Sequence, residues 1–300
     1  MKNFIKLAMI AAIPFGANAS TENEPRAFSM GVYQTDLKFD WSIDNSHTAG
    51  HPEKASEIIW KTKAIGLELN YDTKWTNRKL YFAMSDEGSG SMTDEDWRYT
   101  GGNLEKWSST RSDADFLQIG YRDYSVNTRW HDSLWMDTID FNIIMGFSYE
   151  QFKAFGLINN FTDDEMRDDS VRVMSNKAFT LHSGIGFDFE KTVNNWTFGF
   201  EQNFVLDNKL NLDYHHLRTD LKDVSFVILS PYLGVESKLY TTYKFDNDFT
   251  LSAGASYGYS FALIEKVFVR QENAEEGATD VNSSTREEVK AFITLSKKFG

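Results

Sequence analysis

The chain has 300 residues, no cysteine and a formal net charge of −13. The absence of cysteine excludes disulfides, thiolate metal sites and cysteine nucleophiles, and the acidic balance argues against nucleic acid while favouring cationic peptides as partners. Aromatics make up 15% and hydrophobic residues only 41%, a mixture suited to strands with one aromatic and one polar face.

The first segment reads as a targeting signal. Lys2 and Lys6 form a basic start, Leu7 to Phe15 is an apolar run, and Ala17-Asn18-Ala19 is a small-x-small cleavage site. This order predicts a signal peptide over 1–19 and a mature chain, 20–300, beginning at Ser20. The run is too short for a membrane-spanning helix. Its removal takes away Lys2 and Lys6 and leaves a charge of −15. No later stretch approaches the roughly 18 apolar residues of a spanning helix. The exported chain is therefore either soluble or a closed barrel, the other structure that satisfies its backbone in lipid.

The remainder alternates with period two. Ile139, Phe141, Ile143, Met145, Phe147 and Tyr149 oppose neighbours that are polar or small except Ile144; Phe179, Leu181, Ile185, Phe187 and Phe189 repeat the pattern, and then Trp196, Phe198, Phe200 and Phe204. Residues 249–263 are the cleanest case, with Phe249, Leu251, Tyr257, Tyr259 and Phe261 alternating with Thr250, Ser252, Gly258 and Ser260. Helical spacing is absent. Alternation alone also fits a soluble sandwich. The aromatic face, the glycine- and serine-rich face, and an alternation of short and long connections favour an all-β fold, a ten-stranded antiparallel transmembrane β-barrel with long extracellular loops. The short connections are expected at Tyr71–Asn77, Lys191–Asn195 and Phe245–Asp248. The long ones are expected near 42–56, 86–112, 154–177, 206–222 and 266–286. Residues 127–137, with Trp130 and Trp135, read as a turn carrying interfacial aromatic anchors.

Two clusters carry candidate chemistry. Asp94 and Asp96, in the second long connection, are two apart, so in an extended chain they point the same way. Two such carboxylates raise each other's pKa and can share a proton or hold a polarised water. The alternatives are a solvated acidic loop and a calcium loop, although the EF-hand glycine and distal glutamate are missing. Asp213 and His215, in the fourth long connection, share a face whose parity is that of Thr197, Gly199, Glu201 and Asn203. A carboxylate beside an imidazole fixes its tautomer and makes a general base. His216 has the opposite parity and serves as an internal control. Zinc ligation by the adjacent histidines is disfavoured because they point apart. The Gly-x-Ser-x-Gly spacing occurs at Gly254–Gly258, but inside the alternating stretch 249–263 and so without the strand-to-helix turn of a nucleophile elbow.

Together the clusters resemble one family. Gly90-Ser91-Met92-Thr93-Asp94-Glu95-Asp96-Trp97 and Asp213-Tyr214-His215 look like the paired motifs of the omptins, outer-membrane endopeptidases of Gram-negative bacteria. The resemblance implies a monomeric outer-membrane barrel whose active site faces the cell exterior. In it Asp213 and His215 activate a water that Asp94 and Asp96 help to bind, and no cofactor or metal takes part. It also implies polypeptide substrates, cationic ones by preference, and lipopolysaccharide as an activating lipid, for which Tyr149, Gln151 and Lys153 offer one face. Two positions depart from the family pattern. Asn211 and Phe39 stand where omptins place acidic residues for a basic side chain. The alternative reading is a non-enzymatic outer-membrane barrel, an adhesin or a small porin.

Overall fold

The computed structural model describes residues 26–43, 52, 55–133, 135–159, 167–217, 221–263, 266–271 and 277–299. The expected signal peptide, its cleavage site and the mature start lie outside these residues. Among the described residues there are twelve strands: β1 (Arg26–Ile43), β2 (Ser56–Asp72), β3 (Thr76–Met84), β4 (Gly90–Thr100), β5 (Asn103–Ser133), β6 (Met136–Asn159), β7 (Arg167–Val193), β8 (Trp196–His215), β9 (Leu221–Lys244), β10 (Phe249–Ala262), β11 (Lys266–Gln271) and β12 (Gly277–Phe299). They form one antiparallel sheet that closes through β1, which pairs with both β2 and β12. β3 and β4 both lie between β2 and β5, one above the other, and β10 and β11 share the place between β9 and β12. The ring is thus ten strands around, as the sequence predicts.

Side-chain parity explains the closure. On β1 the outward residues begin as Phe28, Met30 and Val32, all exposed, while Ser29 and Gly31 face inward. Higher up, the outward residues become Gln34, Asp36 and Lys38, and Leu37, Phe39 and Trp41 are buried inside. β2 switches at Lys63, β5 at Asp115 and β6 at Gln151 in the same way. Below this line the exterior is apolar and the lumen polar, as lipid outside demands; above it the exterior is polar and the interior is a packed core. The lower lumen is laced with ion pairs, including Arg122–Glu236 at 2.6 Å and Arg129–Asp140 at 2.5 Å. It encloses a cavity of about 620 Å³. Tyr240 lies flat against Gly199 of the neighbouring strand, where an added Cβ would stand 2.1 Å from the ring; only glycine permits that approach.

The short connections fall where the sequence places them. Turns lie at 73–75, at Asn194-Asn195 and at 245–248, with Asn194 and Asp248 at positive φ. At this end Trp75, Trp130, Trp135, Trp196, Phe245 and Phe299 are all exposed, the girdle expected at a membrane interface. Three expectations are corrected. Residues 127–133 continue β5 rather than turning, so that the turn is confined to the residues before Met136. Much of the long connections is strand: residues 206–215 extend β8, 266–271 form β11, and β12 begins at Gly277. The stretch 86–112 is the hairpin β4–β5, closed by Gly101 and Gly102, both at positive φ. Only the start of that stretch is irregular: at residues 85–89, Phe116 N–H donates to Ser85 Oγ at 2.7 Å and Gly88 N–H to Asp115 Oδ1 at 2.9 Å.

Candidate active site

The four sequence-selected residues stand on strands above the phase switch, not in loops. On β4 the buried Met92 sets the inward parity, which Asp94 and Asp96 continue. Glu95 points out and pairs with Lys106 at 2.7 Å. Ser56, on β2, donates to Asp94 Oδ1 at 3.4 Å. On β8, Asp213 and His215 keep the inward parity of Glu201 and Asn203, as expected. Asp213 is wholly buried. Its Oδ2 lies 3.0 Å from His215 Nε2, and Asn176 Nδ2 donates to its Oδ1 at 3.4 Å. When the carboxylate accepts from Nε2, the ring's lone pair belongs to Nδ1. The imidazole is held further by the edge of Phe226, 5.0 Å between centroids, and its backbone N–H donates to Ser225 Oγ at 3.0 Å.

β4 and β8 are four strands apart in a ring of ten, so the two clusters confront one another across the mouth. The electrostatics record the meeting. Asp94 is pushed up to about 7, first by desolvation, then by Asp96, with Asp213 adding to the rise and His215 and the Ser56 hydroxyl opposing it. A carboxyl poised near neutrality beside a second carboxylate and facing an Asp–His couple can bind, orient and deprotonate a water. His216 is turned away: it is exposed, stacks on Tyr214 with rings 6.0 Å apart, and lies 3.0 Å from Ser175 Oγ. Among the described residues no cluster of metal-ligating side chains is found.

Asn176, Ser56, Ser225 and Phe226 escaped the sequence reading. Asn176 had a usable signal, because the even parity of Thr180 and His182 carries back to it. Phe39 and Asn211, the departures noted above, are both fully buried on the interior face. Tyr149, Gln151 and Lys153 face outward from β6 around its phase switch, and the Tyr149 ring packs 5.0 Å from Phe179.

A closed antiparallel ring with an apolar belt, an aromatic girdle and a charged lumen is the architecture of outer-membrane β-barrels. Among solved structures the chain is similar to the outer membrane protease OmpT from Escherichia coli, with a TM-score of 0.66 and 12% identity, over 95% of this chain and 99% of that one. It is also similar, more distantly, to the translocator domain of the autotransporter NalP from Neisseria meningitidis, with a TM-score of 0.40 and 12% identity, over 99% and 96%. At these identities the shared property is the fold. No family model and no curated protein matches the chain.

Proposed function

We propose that the protein is an outer-membrane endopeptidase of the omptin type, acting on polypeptides at the external mouth of its barrel. His215, aligned by Asp213, removes a proton from a water held by Asp94 and Asp96, and the hydroxide adds to a peptide carbonyl without a covalent enzyme intermediate. The observation that carries this reading is the meeting of both carboxylate clusters around Asp94. The short-turn end, where Arg26 pairs with Phe299, faces the periplasm, and lipopolysaccharide packs against the outward face of Tyr149, Gln151 and Lys153.

The test is hydrolysis of a fluorogenic peptide library by refolded chain, with and without lipopolysaccharide. Asp94→Asn, Asp96→Asn and His215→Ala are each expected to lower turnover by about 10²–10⁴-fold, while His216→Ala stays close to wild type. All variants should retain heat-modifiable barrel migration. Full turnover in the Asp94, Asp96 and His215 variants would leave the clusters a structural role only and return the protein to a non-enzymatic barrel.

A further inference from the structure

The floor beneath the dyad already holds a cation. Lys209 faces inward on β8, two residues before Asn211 and four before Asp213, and is almost fully buried. Its Nζ stands 4.1 Å from the centroid of the Phe39 ring, 5.3 Å from that of Tyr232, and 3.9 Å from Glu150 Oε2. Two aromatic faces and a carboxylate are the chemistry that would receive a lysine or arginine side chain from outside. Here the chain supplies the occupant itself. Glu150 has no charge to spare, since its Oε1 also accepts from Gln118 and Arg286.

The depth is right for a substrate side chain. Phe39 lies opposite Trp60, and Trp60 opposite Met92, one inward position below Asp94, or about 7 Å along the strands. That is about the length of an extended side chain whose own carbonyl sits at the water. Asn211 is fully buried, and neither its Oδ1 nor its Nδ2 has a hydrogen-bond partner among the described residues. Such an amide is costly until a donor and an acceptor meet it.

Resting on the endopeptidase reading, we propose that the site selects an uncharged, hydrogen-bonding side chain on the residue whose carbonyl is attacked. Lys209 fills the cage of Phe39, Tyr232 and Glu150, and Asn211 offers neutral partners above it. The acidic field of the molecule draws cationic polypeptides to the mouth, and the floor then chooses an uncharged residue within them.

The experiment compares the refolded full chain with Lys209→Ala and Lys209→Met, all checked for heat-modifiable migration. One readout is hydrolysis of peptides varied only at the residue before the scissile bond, carrying Gln, Asn, Ser, Lys or Arg. The other is calorimetric binding of n-butylguanidinium. The wild type is expected to favour the uncharged residues on the order of tenfold, the scale of a desolvated cation–π contact. Lys209→Ala empties the cage, and is expected to bind n-butylguanidinium and to lose that preference. Lys209→Met refills the cage without charge and does neither. Equal or better cleavage after Lys and Arg by the wild type overturns the proposal, as does a Lys209→Ala chain that gains no guanidinium binding. If no form cleaves any peptide while Lys209→Ala alone binds the guanidinium, the filled cage stands and it is the endopeptidase reading that has failed.

Discussion

Asp94 is the residue whose behaviour most directly reports the site. Burial and the neighbouring Asp96 push its carboxyl up to about 7 from the ordinary 3.8, so between those values the folded chain holds a proton that the unfolded chain has released. The contribution of Asp94 to stability is therefore full below the unfolded value and declines as pH rises through that window. Asp96→Asn removes the larger of the two carboxylate charges that raise it and leaves burial in place. Infrared titration, with Asp94→Asn as the reference, should then find the protonated carboxyl disappearing at lower pH than in the wild type. An unmoved transition would mean that the two carboxylates do not face each other. The dyad was legible in the sequence because parity propagates along a strand: inward Glu201 and Asn203 imply inward Asp213 and His215. The clamp from Asn176 is harder to see, since the polar stretch before Ala178 reads as a connection and parity does not extend into a connection.

Among the elements, the strands were legible where lipid imposes one phase and illegible where that phase inverts. Over 28–32 of β1 the apolar residues point out, and over 37–41 they point in, while the backbone runs on without a break. A single alternating pattern ends near the inversion, so residues 206–215 resemble a connection in sequence although they extend β8. β10 shows the lipid phase alone. Leu251, Tyr257 and Phe261 are exposed, and the Ser252 hydroxyl lies 2.7 Å from that of Thr242 on the inner face. Single cysteines at Ser252, Ser256 and Ser260 should react with a water-soluble maleimide entering the lumen, and those at Leu251 and Tyr257 with a lipid-dissolved one. Labelling of Ser256 from the lipid would place the register one residue away.

For the whole molecule, the interior is divided between a charged lower lumen and an aromatic upper core. Glu150, only 1% exposed, stands at the junction, bonded to Gln118 at 2.8 Å and to Arg286, with Lys209 beyond. Glu150→Gln keeps the shape but leaves two buried cations short of their shared carboxylate. Breaking such a group costs about 3–5 kcal/mol, to be seen as a lower urea midpoint for unfolding from micelles, followed by tryptophan fluorescence; an unchanged midpoint would show that the cations find other support. Ring size could be read from the sequence, but this junction could not, because it joins residues up to 136 positions apart and no local pattern records such a pairing. The division has a mechanical consequence. Asp94 and His215 ride on strands of the same closed ring, each strand bonded to both of its neighbours. The gap they span is set by strand number and stagger, so the jaws cannot close on a substrate. On the endopeptidase reading, any adjustment must come from the polypeptide, which would have to enter extended and already unfolded; a compact domain would be cut only in its loops and tails.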